Sequence, residues 1–131
     1  MKIDRNLLDL LTEQAKASPR LRASYDLRNS MEDRSQRMLN AIEPGSSVPI
    51  HRHRETSETV VILRGHLREI FYDELKHSAC EIVDLKAGGP VVALNIPAGQ
   101  WHSVEIMESG TVILEMKDGA YKPLQDCDIL K

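Results

Sequence analysis

Residues 45–65 read GSSVPIHRHRETSETVVILRG, and this stretch gives the strongest indication of the fold and of a site. Because successive side chains of a strand point to opposite faces, His51 and His53 are predicted to share one face of a strand. A turn through residues 54–57 leads into the next strand, where Glu58 shares a face with apolar residues. The pattern therefore predicts two imidazoles and a carboxylate side by side in a sheet.

A fourth candidate ligand follows further along the chain. Residues 96–102 read IPAGQWH, in which Pro-Ala-Gly predicts a tight turn and His102 opens a strand. Imidazoles plus one carboxylate are a common ligand set for first-row divalent metals such as Zn, Fe, Ni and Mn. We therefore predict one divalent transition metal held by His51, His53, Glu58 and His102, its identity left open. A His-x-His pair alone is equally typical of surface histidines, so the prediction depends on the complete set.

The rest of the chain predicts a mostly β protein. Residues 4–17 place leucines on one broad stripe of a helix, with Asp4 as its N-cap and Ser18-Pro19 as its end. This helix is expected to pack on the barrel or on a second subunit. Short apolar runs then predict strands over 20–25, 36–42, 47–52, 58–64, 67–72, 80–85, 91–96, 102–107 and 111–117. Short strands separated by Gly-, Pro- and Asp-containing turns favour an antiparallel sandwich or barrel.

Composition narrows the class of protein. The length of 131 residues fits one structural domain, divided into an N-terminal helix over 1–18 and a barrel over 19–131. A formal net charge of −3 argues against nucleic acid as a partner. We see no secretory signal pattern and no apolar run of membrane-spanning length. A cytoplasmic protein is therefore expected, with both cysteines as free thiols and Cys80, in a strand-like run, in the core.

The first histidine segment resembles the first motif of the cupin superfamily. That motif is commonly written G-x5-H-x-H-x3-4-E-x6-G. It is matched throughout by Gly45, His51, His53, Glu58 and Gly65. The resemblance implies a single cupin domain, which is a double-stranded β-helix or jelly-roll barrel, with the short N-terminal helix added and the metal near one mouth of the barrel.

The second histidine segment resembles the second cupin motif, G-x5-P-x-G-x2-H-x3-N, in part. Pro97, Gly99 and His102 match it. The leading glycine is displaced to Gly89, and Ile106 stands in place of the final asparagine. These departures concern the loops around the motif and leave the implied ligand in place.

A closer resemblance, over roughly residues 20–127, is to the WbuC family of cupin-fold metalloproteins. It rests on residues 37–45, 51–53, 57–65, 97–102, 114–119 and 121–124. Members of that family are known from bacterial O-antigen and related polysaccharide gene clusters, and their reaction is not established. The family usually carries an Asn and a His in a region that here reads YDLRN, over 25–29, which leaves room for a different substrate.

Four further residues are candidates for ligand binding. Arg37 could reach the barrel mouth and hold a carboxylate or phosphate in bidentate fashion. Trp101 could stack on a sugar or simply pack beside the metal. Tyr25 and Tyr121 are candidates for proton transfer. Nine of the ten arginines lie in the range 20–68, which suits either a solvated surface or an anion-binding pocket.

Three functions are compatible with these features. The first is a metalloenzyme that acts on a sugar or sugar nucleotide, with the metal as Lewis acid in an isomerase, epimerase or lyase reaction. The second is a non-catalytic module that binds a sugar or an anionic sugar derivative through the metal. The third is an Fe(II)-dependent oxygenase. A homodimer is expected from the unpaired apolar face of the helix, and no general base is evident.

Overall fold

The computed structural model describes residues 1–75, 78–119 and 122–130, and these form one helix and two antiparallel sheets. The helix is α1 (Arg5–Ala17), and a single 3₁₀ turn spans Asp126–Asp128. The strands are β1 (Arg22–Asp26), β2 (Ser35–Ile42), β3 (Glu58–Arg64), β4 (His66–Tyr72), β5 (Ala79–Lys86), β6 (Ala93–Ile96), β7 (His102–Ile106) and β8 (Val112–Asp118).

The two sheets enclose a common core. One sheet has the strand order β1-β2-β8-β3-β6 and the other the order β5-β4-β7, with antiparallel pairing throughout. Alternate side chains of both sheets meet between them, including Ile42, Val60, Ile62, Leu67, Leu85, Ile96, Ile106 and Ile113. The predicted jelly-roll barrel is therefore confirmed.

The helix packs on the outer face of the five-stranded sheet. Its Leu8, Leu11 and Ala15 lie against Leu39 and Ala41 of β2. The carboxylate of its N-cap accepts a hydrogen bond of 3.0 Å from the amide three residues on. Since this chain covers Leu8, Leu11 and Ala15 and leaves Leu10 56% exposed, most of the apolar stripe of α1 no longer argues for a second subunit. In the part of the chain that the structure describes, no helix is long and apolar enough to cross a membrane.

Two details of the predicted fold are wrong. The strand expected over 47–52 does not form, because Pro49 has no amide hydrogen and only His51 makes β-bridges. Cys80 is exposed rather than buried, and it lies where the register of β5 against β4 shifts, between Glu81 opposite Phe71 and Ala79 opposite Tyr72. Both cysteines are free.

Candidate metal centre

The backbone around His51 is held on two sides. Its amide donates to the carbonyl of His102 at 2.9 Å, and the amide of His102 donates back at 2.8 Å. On the other side, His51 forms a bridge with Ile129. The neighbouring amide of Arg52 donates to the carbonyl of Asp128 at 3.0 Å. Two segments distant in sequence therefore fix the position of His51, although it belongs to no regular strand.

Three imidazoles converge at this point. One ring nitrogen from each of His51, His53 and His102 lies within 4.8 Å of the other two. The ring centroids of His51 and His102 are 4.3 Å apart, and that of His53 is 5.2 and 5.9 Å from them. Nitrogens that bind one metal at about 2.1 Å lie no more than about 4.2 Å apart. The cluster is therefore a small side-chain adjustment away from a ligand set.

Backbone carbonyls set the tautomer of two of these rings. The Nδ1 atom of His51 lies 2.8 Å from the carbonyl oxygen of Pro49, and that of His102 lies 2.9 Å from the carbonyl oxygen of Gln100. Because a carbonyl can only accept, each Nδ1 carries the hydrogen and each Nε2 keeps its lone pair. Histidines that bind metals are held by this kind of outer hydrogen bond. The donor set therefore fits a divalent metal.

Burial keeps two of these imidazoles neutral. Burial and the nearby ring of His102 lower the pKa of His51 to about 4. Burial is also the main cause that lowers the pKa of His102. Both rings are therefore uncharged at neutral pH, which is the form that binds a metal.

Glu58 begins β3 beside the imidazoles. Its carboxylate is 6% exposed, and Oε2 lies 3.1 Å from Nε2 of His53. Burial raises the pKa of Glu58, but the hydrogen bond from His53, together with the positive charge of Lys117, outweighs burial and holds the pKa below its usual value. The structure thus brings the three predicted imidazole ligands together and places the carboxylate of Glu58 against His53.

His53 differs from the other two histidines in its partners. Its carbonyl accepts from the amide of Gly99 at 2.7 Å, which fixes the loop. Its Nδ1 atom lies 3.5 Å from Nζ of Lys117, which stands opposite Glu58 on β8. The sequence prediction missed Lys117, although it shares a strand face with Ile113 of the core, and that period of two was visible.

Two further carboxyl groups face the barrel interior one step beyond the metal ligands. Glu69 lies opposite Val104, on the interior face of β4, and Glu115 lies opposite Val60. Burial and the charge of Glu58 raise the pKa of Glu69 to about 9 and that of Glu115 to about 8. Both are therefore protonated at neutral pH. The sequence prediction missed both, because glutamates at strand positions are more often exposed.

A cavity of about 480 Å³ opens beside His53, the one imidazole of the three that forms part of its described wall. Its wall is formed by the ends of β2 and β8, the loop that carries His53, and the segment 122–128. The charged residues that line it are Arg34, Arg52, Arg54, Glu55, Lys117, Asp118, Lys122 and Asp128. The carboxylate of Asp128 pairs with two of the arginines, at 3.4 Å from Nε of Arg52 and 2.6 Å from Nε of Arg54.

Arg37, which was predicted to hold a carboxylate or phosphate, is not brought to the imidazoles. Arg37 shares the outer face of β2 with the residues under α1, where it donates to the carbonyls of Leu27 and Ser35 at 3.0 Å each. The interior position next to it is occupied by Gln36 instead, which lines the cavity.

The aromatic candidates are placed in three different ways. Tyr25 is 41% exposed and lies opposite Leu39, on the outer side of the sheet. Trp101 is 6% exposed, and the guanidinium carbon of Arg52 lies 4.6 Å from its ring centre, so Trp101 packs beside the site and offers no open face to a sugar. Tyr121 lies outside the described residues.

Comparisons with solved structures define the class of protein. A cupin 2 domain-containing protein from Halorhodospira halophila matches at a TM-score of 0.57 with 18% identity, over 74% of this chain and 63% of that one. KdgF from Halomonas sp. matches at 0.59 with 13% identity, over 78% and 82% of the two chains. CapF from Staphylococcus aureus, a capsular polysaccharide assembling protein, matches at 0.61 with 20% identity, over 77% of this chain but only 27% of its own. The chain therefore has the cupin fold.

The family follows from the sequence. Residues 3–83, more than half of the chain, match the model of a family described as a domain of unknown function, DUF6016. The chain belongs to this family. No curated protein matches it.

Proposed function

We propose that the protein binds one divalent transition metal through His51, His53, Glu58 and His102, and that it acts on a small sugar or anionic sugar derivative. The observation that carries this proposal is the convergence of three imidazoles, with the buried carboxylate of Glu58 against His53 and a cavity of about 480 Å³ whose wall includes His53. When bound, the metal would supply a Lewis acid that polarises a carbonyl or hydroxyl oxygen of the ligand.

The surroundings of the site support a polar, acidic ligand. Lys117 and Gln36 line the cavity next to His53, and Arg34 lies on the same wall. A cavity with several cations attracts carboxylates and phosphates. The match to CapF, whose name refers to capsular polysaccharide, and the resemblance to the WbuC family both favour a sugar-related ligand.

A module that binds the same ligand without turnover is the second candidate. It is favoured by the state of the interior carboxyl groups. In the metal-free protein, burial and the charge of Glu58 raise the pKa values of Glu69 and Glu115 to about 9 and about 8, so neither is ionised as a base at neutral pH. An enzyme would have to remove this proton or use a base supplied by the substrate.

Metal analysis tests the proposal first. The double variants of His51, His53 and His102 to alanine should lower bound metal to background in protein purified without added metal. The matched control is His66→Ala, since His66 lies on β4 and pairs with Asp84 at 2.7 Å, outside the site. Stoichiometric metal in the double variants would refute the ligand assignment.

Turnover separates the two candidates. Sugar nucleotides, sugar phosphates and sugar acids would be incubated with metal-loaded protein and followed by NMR, alongside His53→Ala as the inactive control. Conversion that depends on His53 supports the enzyme, whereas binding without conversion across the panel supports the module. Oxygen consumption with iron-loaded protein would indicate the oxygenase instead.

A further inference from the structure

We propose that Lys117 selects ligands with an acidic group: metal binding detaches its ammonium from His53, and the ammonium then binds the carboxylate or phosphate of a ligand in the adjoining cavity. This inference rests on the proposed function, because it requires a metal at the imidazoles. It goes further by naming the residue that recognises the acidic group.

Lys117 and His53 are joined by a hydrogen bond between their side chains. Nζ of Lys117 lies 3.5 Å from Nδ1 of His53. An ammonium group has three donors and no acceptor, so this Nδ1 must offer its lone pair. The ring hydrogen then belongs on Nε2, which faces the carboxylate of Glu58 at 3.1 Å. His53 therefore has the opposite tautomer to His51 and His102, whose Nδ1 atoms donate to carbonyls.

A bound metal is incompatible with that hydrogen bond, whichever nitrogen of His53 binds. If Nε2 is the ligand, the hydrogen moves to Nδ1, and Nδ1 becomes a donor that faces another donor. If Nδ1 is the ligand, the metal takes its lone pair directly. In both cases Lys117 loses the acceptor it has in this structure, and a half-buried ammonium without an acceptor is costly.

The cavity provides the new position for the ammonium. Lys117 lines it together with Arg34 and Lys122, and among the described residues neither of these two forms an ion pair. The other arginines of the wall are paired with Asp128.

The acidic side chains near Lys117 are weaker partners than a ligand. Glu58 faces it across the β3–β8 pair, and its charge is shared with the metal once a metal is bound. Glu55 and Asp118 also line the cavity and are solvent-exposed, which weakens their attraction for the ammonium. A ligand whose acidic group also reaches the metal would have that group held between the metal and the ammonium of Lys117.

The experiment uses cobalt(II)-loaded protein and two probes that differ only in charge. Glycolate and its neutral analogue glycolamide would be titrated while the visible absorption of cobalt is recorded, and inorganic phosphate would serve as a third arm. The variant is Lys117→Met, which keeps the length of the side chain without the charge. The control is Lys86→Met, an exposed lysine on β5 outside the cavity.

We expect Lys117→Met to weaken glycolate binding by about tenfold or more, as for the loss of a charge-assisted hydrogen bond, with glycolamide binding within about twofold of the wild type. Loss of phosphate binding alone would assign the acidic group as a phosphate, and loss of glycolate binding alone as a carboxylate. Cobalt affinity should be equal or higher in Lys117→Met, because the competing donor is gone. An unchanged ratio of glycolate to glycolamide affinity together with unchanged phosphate binding would overturn the inference while leaving the metal site intact. Failure of the wild type to bind cobalt would overturn both.

A second measurement does not depend on a variant. Nitrogen-15 NMR of the histidine rings reports which nitrogen carries the hydrogen. Without metal we expect the hydrogen of His53 on Nε2, and with zinc we expect Nδ1 or Nε2 to be ligated and the contact with Lys117 lost. A hydrogen on Nδ1 of His53 in the metal-free protein would contradict the first step of the argument.

Discussion

The backbones of His51 and His102 are joined by two reciprocal hydrogen bonds, of 2.9 and 2.8 Å. Residues paired in this way have Cα atoms about 5.5 Å apart. The distance between these two candidate ligands is therefore set by main-chain hydrogen bonds rather than by side-chain rotamers. Such a site is organised before the metal arrives, so its affinity should be sensitive to the residues that hold the backbone.

Gln100 is the first such residue. Its side-chain amide donates to the carbonyls of Tyr72 and Trp101 at 3.1 and 3.0 Å, and its own carbonyl accepts from the ring of His102. We expect Gln100→Ala to weaken zinc binding by about tenfold, as for other outer hydrogen-bond partners of metal ligands. Competition with a chromogenic chelator measures this affinity. Gln14→Ala, on the exposed side of α1, is the control, and equal affinities in the two variants would contradict the prediction.

The metal should be released at a lower pH than it would be from histidines with ordinary pKa values. Protons compete with the metal for imidazole nitrogens. Because the pKa of His51 is lowered to about 4 and that of His102 is lowered as well, both rings stay neutral when an ordinary histidine is already protonated. We expect zinc to remain bound after dialysis at about pH 5.5, where an unperturbed histidine is about nine-tenths protonated. Metal analysis after dialysis at several pH values tests this, and complete loss of zinc by about pH 5.5 would contradict the prediction.

The lowered pKa of His51 also makes the stability of the metal-free protein depend on pH. The folded state binds fewer protons at His51 than the unfolded state does between the unfolded pKa of 6.5 and the folded pKa of about 4. The free energy of unfolding therefore falls as the pH is lowered through this window.

Glu69 should have the opposite dependence on pH. Burial and Glu58 raise its pKa to about 9, so the folded state binds more protons than the unfolded state between pH 4.5 and 9. Its contribution therefore lowers the free energy of unfolding as the pH rises through this window. We expect the free energy of unfolding of metal-free Glu69→Gln to exceed that of the wild type by about 1–3 kcal/mol at pH 8 and to equal it near pH 4.5. Urea unfolding measures both, with the exposed Glu105→Gln as control, and a gain that does not vary with pH would refute the assignment.

Substitution of Gly65, the last residue of the first histidine motif, tests how closely the backbone packs against Thr111. The φ of +92° at Gly65 disfavours other residues, and an added Cβ would lie 2.7 Å from the Cα atom of Thr111. Gly88 has a similar φ of +76° but no atom within 4 Å of the same position. We expect Gly65→Ala to lower the free energy of unfolding by about 3 kcal/mol or more and Gly88→Ala by about 1 kcal/mol. Thermal and urea unfolding of the two variants separate the effect of steric overlap from that of backbone strain. Equal losses of free energy of unfolding would mean that the structure relaxes to relieve the overlap at residue 65.

Most of the fold could be predicted because its signals are local. Short apolar runs separated by turn residues identified the strands from β1 to β8, and the leucine stripe of α1 identified the helix. The segment 47–52 was predicted wrongly because its partners are residues 102 and 129, which no local pattern reveals.

The site was harder to complete than the fold. The four candidate ligands were visible because their spacing is fixed in a motif. On β2, however, both faces are buried, one under α1 and one in the barrel, so the sequence could not show that Gln36 rather than Arg37 faces the cavity. Lys117 was on a predicted strand, but its place beside His53 depends on the register of β8 against β3.

The contact of Ile129 with His51 has a consequence for the order of events in biosynthesis. Every strand of both sheets precedes residues 128–130 in the chain, and those residues supply one of the two edges that fix the His51 segment. During translation, the barrel strands therefore leave the ribosome before this edge exists. Metal uptake would then be a late event that follows barrel closure, and a nascent chain arrested before residue 128 would carry the histidines without the backbone frame that orients them.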